Sequence, residues 1–246
     1  MTDGLVLLHA FPLDARIWEA QLSAFSGVLP VIAPHLPGFG GTEPAGEVMT
    51  MGAAADRVLA ELDRAGVDRA VVCGLSMGGY IAFELWRRAR HRVAGLVLAN
   101  TRAEPDSEEG AANRRALAER LRREGNGFLV ETPPPLLSHG APEELWAYVR
   151  GLIADQPAEA IAAASLGMAE RPDSRPELPG IDVPALVITS TDDTLIPSAV
   201  SAPMADAIPG ATLLVIERGG HLSNLEQPDT FSGALEEHVE RAGLRG

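Results

Sequence analysis

The chain has 246 residues, 46% of them hydrophobic, which is enough for a large buried core and too many for a disordered chain. Its formal net charge of −14 argues against a nucleic-acid partner, because phosphate binding needs clustered Lys and Arg. The single cysteine excludes an intramolecular disulfide and argues against a thiol metal cluster. Cys73 sits in the apolar run Ala70-Val71-Val72-Cys73 and reads as a small buried hydrophobe. The nearest approach to a basic run is Arg114-Arg115 with Arg120, Arg122 and Arg123. It alternates with Glu119 and Glu124 and reads as a solvated helix face. No basic leader precedes the first apolar run, and no run nears the roughly twenty residues that span a bilayer. The expectation is a soluble cytoplasmic protein.

In chain order, short apolar runs at Leu5–Leu8, Val31–Ala33, Ala70–Cys73, Val93–Ala99, Ala185–Thr189 and Thr212–Ile216 predict strands. They are apolar on successive residues, which suits strands covered on both faces. Helical patterns at Met51–Arg64, Met77–Arg88, Ser198–Ala207 and Pro228–Arg241 alternate with them. That alternation predicts an α/β fold with a parallel sheet and helices on both sides. Between about Glu104 and Pro179 no strand pattern occurs. Helical stretches at Glu109–Glu124, Pro142–Ala154 and Pro157–Ala169 fill a segment too long for a loop. It reads as an inserted helical cap, residues 104–179, on a core formed by 1–103 and 180–246.

Gly74-Leu75-Ser76-Met77-Gly78 matches G-x-S-x-G. The pattern alone is weak, since a Gly-rich turn also produces it. Here it follows an apolar strand and opens a helix, the setting of a nucleophile elbow. The turn puts Ser76 under strain, glycines on either side allow close backbone approach, and the helix N-terminus favours developing negative charge.

A serine hydroxyl needs a base, and the base a carboxylate that fixes its tautomer. In the α/β-hydrolases, which the strand–elbow–helix run Ala70–Arg88 resembles, acid and base come in that order from loops after later strands. His9 and His35 precede Ser76, His91 leads into a strand, His139 lies in the insertion and His238 in the polar C-terminal helix. His221, after the last strand and behind Gly219-Gly220, is the candidate base. The loop after Ala185–Thr189 offers two acids, Asp192 and Asp193. An oxyanion needs two backbone N–H groups. Met77 supplies one, and Phe11 is the candidate for the other because Pro12 has none. His9 reads as a brace for that loop.

These pieces resemble the α/β-hydrolase superfamily, and within it the small cofactor-free esterases, enol-lactonases and haloperoxidase-like enzymes. The matching stretches are LLHAFPLDARIW, VIAPHLPGFGGT, GLSMGGYIA, VITSTDDTLIP and GGHLSNLEQP. In that superfamily the acid stands four residues before a proline, which selects Asp193 against Pro197. The histidine lies in a G-H loop followed by E-x-P, here Gly220-His221 and Glu226-Gln227-Pro228. The resemblance implies a Ser76–His221–Asp193 triad with neither cofactor nor metal. Three departures stand out: Ala10 replaces the glycine of the usual H-G loop, His35 replaces the aspartate of D-x-P-G, and the usual N-terminal hairpin is missing. A sheet of six strands, wholly parallel, follows. Val31–Ala33 becomes an edge that invites a covering loop or a homodimer partner.

Relatives that cleave carbon–halogen bonds or epoxides carry Asp where this chain has Ser76, so acyl transfer to water remains. The expected substrate is a carboxylic ester of a small to medium apolar acyl group, with Trp146, Leu136, Leu137, Leu166 and Met168 as candidate pocket walls. An enol-lactone is the second reading. A perhydrolase or lyase using the same triad, and a non-catalytic ligand-binding protein on this scaffold, are rivals from other classes.

Overall fold

Successive apolar residues form a strand when helices cover both of its faces, and this pattern holds for most of the sheet. A computed structural model describes residues 1–244. The strands are β1 (Asp3–Leu8), β2 (Val31–Ile32), β3 (Arg69–Leu75), β4 (Val93–Ala99), β5 (Ala185–Ser190) and β6 (Thr212–Ile216). Their order across the sheet is β2-β1-β3-β4-β5-β6, with every neighbouring pair parallel. This is the six-stranded, wholly parallel sheet read from the sequence. β4 is buried along its whole length. β6 departs from the expectation: Leu213 and Val215 are exposed, because an edge strand is covered less completely than a central one. β3 runs two residues beyond the apolar run that signals it, to Leu75.

The helices of the core are α1 (Glu19–Ala24), α2 (Met51–Arg64) and α3 (Met77–Ala89). The insertion contributes α4 (Glu108–Glu124), α5 (Gly127–Glu131), α6 (Glu143–Ala154) and α7 (Ala158–Ala169). The core resumes with α8 (Ser198–Ser201), α9 (Pro203–Ala207), α10 (Ser223–Glu226) and α11 (Pro228–Arg241). The short helices α1, α5 and α10 have no clear periodicity in the sequence. Ser198–Ala207, read as one helix, is broken in two at Pro203, which lacks the N–H that would continue the ladder. Caps follow their usual chemistry: Thr50 accepts from the Ala53 N–H at the start of α2, and Ser107 from Gly110 at the start of α4.

The insertion is tied to the core by polar groups as well as by apolar packing. Asp14, fully buried, accepts from the Gln156 amide at 2.7 Å and from the Arg16 guanidinium. The Gln156 carbonyl in turn accepts the Gly40 N–H at 3.0 Å. α7 abuts the core backbone directly: the Met49 N–H bonds to the Ala163 carbonyl, and a side chain at Gly167 would collide with the Met49 carbonyl.

His238 does not face solvent from a polar helix. It is buried on the inner side of α11, its ring lying against Gly95 of β4. Burial, reinforced by the nearby Arg241 cation, lowers its pKa from the usual 6.5 to about 4. The unfolded chain binds a proton as pH falls below about 6.5, whereas the native chain resists until about 4. Stability from this group is therefore complete above about pH 6.5 and is lost progressively towards pH 4. Each pH unit in that window corresponds to about 1.4 kcal/mol at most. Urea midpoints taken at about pH 7 and pH 5 should fall less for His238→Gln than for the wild type; equal falls would contradict this account.

Candidate active site

The chain leaves β1, forms β2 on one side, then crosses to place β3 on the other side of β1. Such a reversal opens a crevice at the carboxyl ends of the strands. The two amides read as oxyanion donors flank this point: Phe11 follows β1, and Met77 follows Ser76 at the end of β3. Asn100, Asp193 and His221 follow β4, β5 and β6 in turn.

Ser76 has φ 56° and ψ −113°, a conformation that non-glycine residues rarely adopt. Its backbone is held from three sides. The Ser76 N–H donates to the Ala99 carbonyl at 2.9 Å, while its carbonyl accepts from the Gly79 N–H at 2.9 Å and the Thr101 hydroxyl at 2.8 Å. A Cβ at Gly74 would meet the Gly78 carbonyl and the Gly79 nitrogen, and one at Gly78 would meet the Leu8 carbonyl. Both glycines of the motif are thus required by backbone approach.

Of the two adjoining acids, Asp193 turns inward and Asp192 stays exposed, bonded to the Thr191 hydroxyl rather than to backbone amides. Asp193 Oδ2 lies 2.8 Å from His221 Nδ1 and accepts the Asn100 amide at 2.9 Å. Its Oδ1 accepts the Leu195 and Ile196 N–H groups, each at 2.9 Å. Burial alone would raise the Asp193 pKa; the hydrogen bonds and charge of the His221 ring, with the Ile196 and Asn100 donors, outweigh it and hold the carboxyl below its usual range. An ionised carboxylate is acceptor-only, so Nδ1 donates to it, and in the neutral tautomer of the ring the lone pair is on Nε2.

Ser76, His221 and Phe11 line one cavity of about 190 Å³. Leu136 and Met168 of the insertion also line it. The other three proposed wall residues are not among its lining residues. Leu137 is buried, and Trp146 and Leu166 are half-buried against the hydrophobic core, because helical spacing does not distinguish a subdomain core from a pocket. The cavity also holds what the sequence reading did not place there: Tyr80, Arg102 and Arg114. Arg114 belongs to the helix face read as solvated, but its guanidinium turns in to pair with half-buried Asp106.

His9 serves its loop. The buried ring donates from Nδ1 to the Ala10 carbonyl and accepts the Leu36 N–H at Nε2. Burial lowers its pKa to about 4, so it stays neutral as these two bonds require. Cys73 is fully buried, and burial pushes its thiol pKa up, in keeping with the inert role read from the sequence. Among the described residues no group of His, Cys, Asp and Glu is arranged to hold a metal ion, and no helix is long and apolar enough to cross a membrane.

Asn100, which no local pattern marks, and Glu226, the acid of the E-x-P stretch, organise the site. Asn100 (φ 44°) donates to Ser190 Oγ at 2.6 Å as well as to Asp193, and accepts the Ser223 hydroxyl at 2.7 Å. Ser190 passes its own proton to the Gly220 carbonyl at 2.7 Å. Glu226 accepts the Gly220 N–H at 2.7 Å and both the N–H and hydroxyl of Ser138, joining the histidine loop to the insertion.

The family model of the alpha/beta hydrolase family matches residues 5–234. The chain therefore belongs to that family, and its class is that of the hydrolases. Among curated proteins it is 30% identical to a pimeloyl-[acyl-carrier protein] methyl ester esterase of Aromatoleum aromaticum, over 96% of this chain and 97% of that one. Among solved structures, a malate-bound thermophilic esterase from Thermogutta terrifontis superposes with a TM-score of 0.94 at 40% identity, covering 98% of this chain and 90% of the other. The enol-lactonase of Burkholderia xenovorans LB400 gives a TM-score of 0.89 at 30% identity, with coverage of 98% and 92%.

The Asn100 network yields a stability test. Asn100→Ala removes a donor from a buried carboxylate and from the Ser190 hydroxyl, and takes away the acceptor of the Ser223 hydroxyl, so unfolding in urea should show a loss of about 2–4 kcal/mol. A loss below about 1 kcal/mol would mean that water replaces the amide.

Proposed function

We propose that the protein is a serine hydrolase that cleaves small carboxylic esters through Ser76, His221 and Asp193. The observation that carries this reading is His221, held 2.8 Å from Asp193 and lining the same small cavity as a serine on a strained elbow. The esterase relatives support the same chemistry.

In this mechanism Ser76 Oγ attacks the ester carbonyl carbon as His221 Nε2 takes its proton. The Nδ1–H bond to Asp193 stabilises the imidazolium so formed. The Phe11 and Met77 amides donate to the tetrahedral oxyanion, aided by the N-terminus of α3. The carbonyl re-forms, the C–O bond to the alcohol breaks, and His221 protonates the leaving oxygen. Water then attacks the acyl-enzyme with His221 again as base, releasing the acid and restoring Ser76. A lactone follows the same path with its alcohol still tethered to the acyl group; the likeness to an enol-lactonase makes this the second reading.

Ser76→Ala should lower turnover of a p-nitrophenyl ester by about 10⁴-fold or more, with an unchanged circular dichroism spectrum. A fluorophosphonate probe should label the wild type at Ser76 and leave the variant unlabelled. An unlabelled wild type would instead indicate a ligand-binding protein, and retained turnover in the variant would remove Ser76 from the chemistry.

A further inference from the structure

Acidic residues outnumber basic ones by fourteen in this chain, 34 against 20, yet no Asp or Glu lines the cavity beneath Ser76, while two arginines do. Their situations differ. Arg114 is paired with Asp106, a half-buried residue whose carboxylate Arg171 also grips at 2.8 Å. Arg102 pairs with no carboxylate among the described residues. Its one hydrogen bond runs from a terminal nitrogen to the Leu195 carbonyl at 3.2 Å, and its buried Nε has no partner.

A guanidinium carries five N–H donors, stays charged at any working pH, and matches the geometry of a carboxylate. Leaving a buried donor unmet is unfavourable, so an unspent guanidinium at the wall of a small cavity calls for an acceptor. The backbone around Arg102 is also fixed: its neighbours Thr101 and Asn100 hold the Ser76 carbonyl and Asp193. A charge placed so firmly suits recognition of a substrate group.

We infer that Arg102 is a specificity-determining residue and that the cavity takes an ester carrying a second, free carboxylate. The inference rests on the serine-hydrolase reading of the same site. The apolar walls from Phe11, Leu136, Met168 and Ile196 hold the carbon chain, and Arg102 meets the charged end. A charge-assisted pair in a cavity poor in water is stronger than the same pair in solution. A site built around such a pair also discriminates against the neutral isostere, which leaves the guanidinium unmatched.

Two matched pairs test it by methanol or acetate release: monomethyl glutarate against methyl glutaramate, and acetoxyacetate against acetoxyacetamide. The first pair puts the charge on the acyl side and the second on the alcohol side. In at least one pair kcat/KM for the carboxylate should exceed that for the amide by tenfold or more. Arg102→Met should reduce that ratio at least tenfold, whereas Arg115→Met, at an exposed arginine of the same helix as Arg114, should leave it unchanged. A purely structural Arg102 would lower both members of each pair alike; an unchanged ratio, or no preference in the wild type, overturns the inference.

If the wild type hydrolyses none of these esters and fluorophosphonate leaves Ser76 unlabelled, it is the serine-hydrolase reading that fails. Titration calorimetry of glutarate then decides the binding claim. Saturable binding to Ser76→Ala that weakens at least tenfold on adding Arg102→Met sustains it, and no binding, or binding indifferent to Arg102, overturns it.

Discussion

A carboxylate with its side chain stripped of water must find its hydrogen-bond donors inside the protein, and the site is arranged around that demand at Asp193. Its four acceptor positions are met by the Leu195 and Ile196 amides, the Asn100 side chain and the His221 ring. Three of the loops that follow strands therefore converge on one charge. Because the carboxylate only accepts, it also fixes Nδ1 as the donor of the His221 ring. The strained Ser76 elbow joins the same network, since Thr101, beside Asn100, bonds the Ser76 carbonyl. Strain at one residue persists only where its surroundings over-determine it, and here the neighbouring loop does so.

The helical segment between β4 and β5 is coupled to this arrangement. Leu222 donates its N–H to the Leu136 carbonyl, and Glu226 binds Ser138 on one side and Gly220 on the other. A shift of the 136–138 segment would therefore displace the loop that carries His221, while Leu136 itself lines the cavity. Pocket shape and histidine position depend on the same few bonds. On the opposite side, Gln156 and Asp14 fasten α6 and its following turn to the core through groups that are themselves buried.

What could be read from the sequence was whatever local backbone geometry dictates. Gly74 and Gly78 are visible as a motif because neighbouring backbone leaves no room for a side chain, and the parallel sheet is visible because burial on both faces erases polar alternation. The choice between Asp192 and Asp193 was not local; it needed the spacing to Pro197 that the resemblance supplied. Asn100 reaches Asp193 across 93 positions, and no periodicity records a contact of that length. Arg114 was misread for a related reason. Its helix alternates charges as a solvated face does, and only tertiary packing turns one of those arginines towards Asp106. Of the five apolar residues expected as pocket walls, Leu136 and Met168 lie at the cavity; its charged wall residues carry no signal until the walls are assembled.

The charge distribution constrains what Arg102 can contribute. With a net charge of −14, the surface repels an anionic substrate at a distance, and in physiological salt this repulsion fades over about 8 Å. Electrostatic steering therefore does not assist the encounter, as it does in enzymes whose clefts draw their substrates in. A guanidinium without a carboxylate partner at a cavity wall, as Arg102 is, acts at shorter range, where its field is less screened. The consequence is a division by distance: the surface disfavours anions in general, and the cavity admits only those that bring a carboxylate into hydrogen-bonding geometry. Selectivity of that kind lies in how long a bound substrate stays rather than in how often it arrives, which is why one residue in the wall can decide it.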